Sequence, residues 1–239
     1  LRRVDWKLYA RSGRYLVKES ATESHLHIRM ILDLSGSMNY TEDGLSRLDY
    51  CKVLLASLAY MGYRQNDSLS FYALREEGAE LLVKEGKNSF YRILYQLEKA
   101  VAGGTGGDEH ARFPEFQHKQ KELVILVSDL LQAGGEWVNL VKKVASPHRQ
   151  ILIFQVLGRQ ELDFDLKGFY RFKDLETGRE VELEAESVRK EYKASFTGYL
   201  AGLEEDLRLP DVHLVRASLD MPLAGVMAEG LKTLSRWNS

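Results

Sequence analysis

The run Leu26-His27-Ile28-Arg29-Met30-Ile31-Leu32, followed by Asp33-Leu34-Ser35-Gly36-Ser37-Met38, decides the fold. Its first seven residues are apolar enough on one face, and sharply enough bounded, for a buried strand. The next six are where such a strand hands over to a loop. A carboxylate and two hydroxyls at alternate positions, with Gly36 between them to permit a tight turn, present three oxygens to one side of that loop. Such a donor set suits a small hard cation, since Mg²⁺ takes oxygen ligands in near-octahedral geometry at about 2.1 Å and keeps some waters. Distant segments have to supply the remaining ligands.

Downstream, the pattern alternates strands with helices. Leu48, Cys51, Leu55, Leu58, Ala59 and Gly62 recur at three- and four-residue spacing, which predicts a helix over about residues 45–64 with one apolar stripe on a sheet. Ser68 to Leu74 and Ala79 to Lys84 read as short strands whose connection, Arg75-Glu76-Glu77-Gly78, is too short for a parallel crossover, so one strand is antiparallel. Asn88 or Ser89 caps a helix carrying Ile93, Leu94, Leu97 and Val101. That helix runs into Gly103-Gly104-Thr105-Gly106-Gly107-Asp108. A nucleotide phosphate loop would follow a strand and end in Lys-Ser/Thr; this segment does neither, and its glycines instead let the backbone bring Thr105 close to another loop.

Leu123 to Val127 is the continuous apolar run expected of a strand covered on both faces, and it ends in Ser128-Asp129. Ligands of open parallel sheets bind beyond the carboxyl ends of the strands, so Asp129 and Asp33 share one edge. A helix over Glu136 to Ala145 and a strand over Gln150 to Leu157 continue the alternation. Leu162 to Val181 interrupts it with Phe164, Phe169, Tyr170 and Phe172 and a Glu176-Thr177-Gly178-Arg179 turn, a small β-hairpin insertion near 162–182. Val188, Tyr192, Phe196, Tyr199, Leu203 and Leu207 then predict a helix of about twenty residues packed across the sheet. Pro210 stops it; Asp211 to Arg216 is a last strand, and a closing helix begins near Pro222.

The 239 residues carry 33 Lys and Arg against 35 Asp and Glu, a formal charge of −2. That balance removes the electrostatic argument for nucleic acid or an anionic membrane surface. No run of about 18 apolar residues spans a bilayer. Cys51 is the sole cysteine, which rules out an intrachain disulfide; its place in an apolar-periodic helix reads as a buried thiol in a reducing compartment, which leads us to expect the cytoplasm. Residues 1–25 mix basic side chains with Trp6, Tyr9 and Tyr15 without a regular period and read as an N-terminal arm, packed or partner-binding, ahead of a domain over 26–239. The start, Leu1-Arg2-Arg3, resembles neither a signal peptide nor an initiating context, so the chain is expected to be a fragment.

Asp33, Ser35, Ser37, Thr105 and Asp129 thus converge by topology. Alone, Asp33 and Ser35 could be ordinary helix caps; the coincidence with Thr105 and Asp129 at one sheet edge favours a metal site. The set resembles the metal-ion-dependent adhesion site of the von Willebrand factor A-like (vWA) fold, Asp-x-Ser-x-Ser, then Thr, then Asp. The resemblance implies an α/β, Rossmann-like, doubly wound and mostly parallel sheet with one antiparallel edge strand and helices on both faces. It further implies Mg²⁺, with Mn²⁺ or Ca²⁺ also suited, held by hydroxyls of Ser35, Ser37 and Thr105 and by Asp33 and Asp129 directly or through water, with a partner's Asp or Glu completing the shell. Arg2-Arg3-Val4-Asp5-Trp6-Lys7, Val17-Lys18-Glu19, Glu176-Thr177-Gly178 with Tyr192, and Met221-Pro222-Leu223 resemble the bacterial domain-of-unknown-function family 58. That resemblance implies an adaptor beside a MoxR-type AAA+ ATPase, in a family whose members usually have residues before the Arg-Arg-x-Asp-Trp motif.

The function expected is non-enzymatic, Mg²⁺-dependent protein binding. One alternative is a metal-dependent hydrolase, for which the residues beside Asp33 are the wrong type, Leu34 and Gly36, and His110 and His118 read as solvated surface groups. The other is a metal-independent structural or self-assembling module built on the Phe164 to Phe172 insertion and the arm with Trp6.

Overall fold

The computed structural model describes residues 26–75, 78–104, 121–131, 136–175 and 177–234. The N-terminal arm, Thr105, His110 and His118 lie outside the described residues. In chain order the strands are β1 (His27–Asp33), β2 (Thr41–Glu42), β3 (Leu45–Ser46), β4 (Ser68–Arg75), β5 (Gly78–Val83), β6 (Glu122–Ser128), β7 (Arg149–Leu157), β8 (Phe169–Lys173), β9 (Glu180–Glu184) and β10 (Val212–Ser218). The helices are α1 (Arg47–Arg64), α2 (Ser89–Lys99), α3 (Glu136–Val144), α4 (Arg159–Asp163), α5 (Ala185–Asp206) and α6 (Leu223–Leu234).

Six strands form one sheet in the order β10-β7-β6-β1-β4-β5. All its pairings are parallel except β4 with β5, which places the one antiparallel strand at the edge. Side chains alternate across the strands, and the two faces bury separate cores. Ile28, Met30 and Leu32 of β1, Ile125 of β6 and Phe154 of β7 pack with α1, α2 and Val226 of α6. Ile31, Val124, Leu126 and Ile153 face the other way, onto Val138 and Val141 of α3 and Leu203 of α5. The doubly wound α/β architecture expected from the sequence is the one observed. From β1 the chain goes outward to β4 and then returns to β6 on the opposite side, so the carboxyl ends of β1 and β6 flank the point where strand order reverses, the crevice in which such sheets hold ligands.

Local chemistry explains the elements. The Ser46 hydroxyl accepts from the Asp49 amide at 3.3 Å and caps α1. Asp43 and Gly44, at φ 50° and 80°, form the positive-φ pair of a type I′ turn that closes the β2–β3 ladder, where the sequence reading has only loop and the start of a helix. Gly62 lets α1 lie against the sheet: a Cβ there would stand 2.8 Å from Ile28 and 2.9 Å from Leu69. Cys51 is wholly buried in α1, and burial pushes its thiol well above its ordinary range, as befits a packed, unreactive group.

Three sequence expectations are corrected. Asn88 occupies the cap position of α2 in the left-handed region, φ 64°, and its side chain makes no capping bond. Val101 lies beyond the end of that helix, 69% exposed; its match to the helical period is accidental. Helix α5 crosses the sheet only by its C-terminal part, through Leu200, Leu203 and the flanking Leu207. Earlier in the helix Tyr192 packs on the insertion instead, stacked on Phe164 at 4.2 Å, while Phe196 stacks on Tyr192 of the same helix at 5.4 Å.

At the amino ends of the strands, Glu122 of β6 sits between Arg29 and Arg149. Its carboxylate accepts from Arg29 at 2.7 and 3.1 Å and from Arg149 Nε at 2.8 Å. Burial works to raise the Glu122 carboxyl, but the two guanidiniums outweigh it and hold the group below the ordinary 4.5. Replacing Glu122 by Gln removes the carboxylate shared by two largely desolvated guanidiniums and is expected to lower stability by about 3 kcal/mol near neutral pH, read from urea unfolding. Because the folded value lies below the unfolded one, this stabilisation is complete above the unfolded value and lost as pH falls through the folded one. The gap between wild type and Glu122→Gln should therefore narrow in acid; a gap undiminished at about pH 3 would contradict the pairing.

Candidate metal centre

Strand β1 delivers Asp33 as its last residue, and a 3₁₀ turn over Gly36–Asn39 follows at once. Ser35 occupies the N-cap of that turn, yet its hydroxyl makes no capping bond; it meets the Ser37 hydroxyl at 3.0 Å. Capping therefore does not account for Ser35. The Asp33 carboxylate accepts from the Ser35 amide at 2.9 Å and from the Ser128 hydroxyl at 2.6 Å. Ser128 ends β6, and its oxygen also accepts from the Leu130 amide at 2.9 Å, so one hydroxyl ties the two strand ends together.

Asp129 follows directly and is wholly buried. Its carboxylate accepts from the Leu131 amide at 3.1 Å, while its backbone carbonyl accepts from Gln155 of β7 at 3.1 Å. Asp33 is equally buried, and burial together with the neighbouring Asp129 charge pushes its carboxyl up to about 7, against the hydrogen bonds from Ser128 and Ser35. Two adjacent carboxylates out of contact with water call for a cation.

Part of that demand is met by Arg47. As the first residue of α1 its positive charge is misplaced with respect to the helix dipole, yet it is 1% exposed. Its guanidinium donates to the second Asp129 oxygen, to Glu161 of α4, and at 3.1 Å to the Ser37 carbonyl. The Tyr40 ring lies 4.8 Å away, and its Nε has no partner among the described residues. Burial opposes the charge on Arg47, but Asp129 and Glu161 outweigh it and keep the group protonated. Glu161 is fixed in turn by the Gly158 amide at 2.6 Å. A Cβ on Gly158 would stand 2.4 Å from Tyr40, so this close approach requires glycine. Asp33, by contrast, is met among the described residues by the neutral donors Ser35 and Ser128.

The loop is held from two further sides. The Gly36 amide donates to the Gly104 carbonyl at 3.0 Å and the Gly103 amide to the Leu34 carbonyl at 2.9 Å, which brings the glycine turn leading to Thr105 against the site loop. The tip of the insertion arrives from the other side: a Cβ on Gly36 would meet the Leu175 carbonyl at 2.6 Å and that of Gly104 at 2.9 Å. Gly36 thus admits two backbones as well as a turn.

Of the residues expected from sequence, Asp33, Ser35, Ser37 and Asp129 come together, and Thr105 lies outside the described residues. Sequence reading missed Arg47, Ser128 and Glu161. Among the described residues no three of His, Cys, Asp and Glu gather; the candidate centre is two carboxylates and two hydroxyls. Hard oxygen donors alone fit Mg²⁺, Mn²⁺ or Ca²⁺ and suit zinc or copper poorly, and Asp33, which forms no ion pair with a described residue, is where such an ion's charge would be stabilised.

Residues 1–198 match the family model described as protein of unknown function DUF58. The chain belongs to this family. Its relatives include the uncharacterized proteins Rv1480 of Mycobacterium tuberculosis and Mb1516 of Mycobacterium bovis, each 20% identical over 220 residues, covering 87% of this chain and 67% of theirs. Solved structures with the same fold include the conserved hypothetical protein BatB of Bacteroides thetaiotaomicron, 14% identical with a TM-score of 0.54 over 90% of this chain and 100% of that one. The VWA domain of SpRpn10 is 10% identical with a TM-score of 0.50, covering 85% and 94%. This DUF58 chain therefore has the vWA fold. Among its described residues no helix is long and apolar enough to cross a membrane.

Proposed function

We propose that the protein is a non-enzymatic, cation-dependent protein-binding module. In this reading Asp33, Ser35, Ser37 and Asp129, with Thr105, hold Mg²⁺, and an Asp or Glu of a partner protein completes its shell. The observation that carries it is the buried Asp33–Asp129 pair beside the Ser35 and Ser37 hydroxyls, of which, among the described residues, Asp129 alone has a cationic neighbour. When bound, the ion would supply a Lewis-acidic anchor for a carboxylate; the chain's own groups orient the oxygens and exclude water.

The vWA fold, widely used for protein interaction, supports the binding reading. Against hydrolysis, no His or Lys meets either carboxylate among the described residues; their partners are hydroxyls, backbone amides and Arg47. The partnership with a MoxR-type AAA+ ATPase rests on the resemblance to family 58 and makes this chain an adaptor or assembly factor. Affinity purification of the full-length protein from its own cells, with Mg²⁺ and with excess chelator, tests the proposal. A co-purifying ATPase that is lost in chelator is the expected result. Partners retained undiminished in chelator would overturn the metal-bridged reading.

A further inference from the structure

A cleft of about 630 Å³ opens beside the candidate metal centre. Ser37 and Arg47 form its inner end, and the β8–β9 insertion with α5 forms its outer wall. The two are continuous: Ser37 belongs to the centre, and the insertion tip at Leu175 rests on Gly36. The outer wall is aromatic. Phe172 stacks on Phe164 at 5.9 Å, Phe164 on Tyr192 at 4.2 Å, and Tyr170 stands at the rim, 40% exposed. Flat apolar walls of this kind accept an aromatic side chain edge-on or stacked.

The charges in the cleft are unequally committed. Glu161 is engaged by Arg47 and the Gly158 amide, and Asp174 accepts from the Thr177 amide at 3.1 Å. Arg171 is paired across the hairpin with Glu182 at 2.7 Å and Glu180 at 3.8 Å. Lys173 lines the same wall, is exposed, and forms no ion pair with a described residue. Lys173 is thus a cation of the cleft without an acidic partner among the described residues, beside a centre that would itself hold a cation. An occupant complementary to both features is anionic at its inner end and aromatic next to it.

We infer that this cleft is the specificity pocket for an extended peptide segment of a protein partner, in which an Asp or Glu directed at the metal centre is followed within two residues by an aromatic side chain seated against Tyr170 and Phe172. This rests on the reading of the centre given above and deepens it: the metal selects the acid, the insertion selects its neighbour. Extended peptides repeat every two residues on one side, which fits an acid at the inner end and an aromatic ring at the wall.

Fluorescence anisotropy of labelled short Gly-Ser peptides on the full chain in Mg²⁺ tests it, with one peptide carrying Asp and Trp two residues apart, one with Ser for the Trp, and one with Asn for the Asp. The Asp–Trp peptide should bind about tenfold tighter than either control, the scale of one desolvated aromatic contact or one charge-assisted contact. Tyr170→Ala should bring the Asp–Trp peptide down to the Asp–Ser level. Lys173→Glu should weaken both Asp peptides several-fold at low salt, an effect that fades as salt rises. Both substitutions are on exposed side chains and should leave direct Mg²⁺ binding unchanged. Equal affinity for the Asp–Trp and Asp–Ser peptides, or no peptide binding by a chain that does bind Mg²⁺, would overturn the cleft while sparing the metal centre. A wild-type chain that binds no Mg²⁺ would strike at the centre itself.

Discussion

Replacing Asp129 by Ala is expected to lower the stability of the metal-free protein by about 3–5 kcal/mol, the usual consequence of stripping a partner from a buried charge. Arg47 would keep Glu161, the Ser37 carbonyl and the Tyr40 ring, but its Nε already lacks a partner, and the lost carboxylate is the most buried of its contacts. The loss belongs to Arg47 rather than to the cavity left by a small side chain, and a double substitution shows this. Arg47→Met in the Asp129→Ala background should restore about 2 kcal/mol or more, because a neutral side chain of similar volume needs no counter-ion. Urea unfolding in chelator is the measurement. A single Asp129→Ala variant that loses less than about 1 kcal/mol would mean that the guanidinium is solvated in a way the geometry does not provide for.

Replacing Asp33 by Asn is expected to do the opposite. Asparagine retains an oxygen to accept from the Ser35 amide, and the Ser128 hydroxyl can accept from its amide nitrogen. What disappears is the one member of a like-charged buried pair that forms no ion pair with a described residue, Arg47 being engaged by Asp129. Stability in chelator should hold or rise, by on the order of 1 kcal/mol, while the response to Mg²⁺ vanishes. In the wild type, Mg²⁺ at a hundred times its dissociation constant should stabilise the fold by about 2.7 kcal/mol; Asp33→Asn should show none of this. Thermal unfolding with and without Mg²⁺ checks both halves. An unstable Asp33→Asn variant would make Asp33 structural, and an undiminished Mg²⁺ shift would place the ion elsewhere.

The contrast between these two carboxylates shows what the sequence makes legible. Asp33, Ser35, Ser37 and Asp129 are all visible because each follows from a local rule: an apolar run ends, a glycine turn begins, and parallel strands put their carboxyl ends on one edge. The roles of the two aspartates are not local. Asp129 is tied to Arg47, 82 residues earlier, and Arg47 to Glu161, 114 residues later, and no spacing rule links such partners. A hint was present at Arg47, a cation placed where a helix N-terminus favours an anion.

The insertion illustrates the same division. Its hairpin follows from aromatic alternation and a Thr-Gly turn, but its destination, with Leu175 against Gly36, depends on two backbones meeting at a residue without a side chain. For α5, a helical stripe of Tyr192, Phe196 and Tyr199 specifies a buried face without saying what buries it. Tyr192 is covered by Phe164 of the insertion, not by the sheet. At Asn88 a good capping residue type sits in a left-handed conformation and makes no capping bond, which residue type alone does not reveal.

Calorimetric titration of Mg²⁺ into the full-length wild-type protein and into Asp33→Asn tests the central claim most directly. The account predicts one bound ion per chain in the wild type and none in the folded variant. Absence of Mg²⁺ binding by the wild type, or equal binding by the variant, would contradict it.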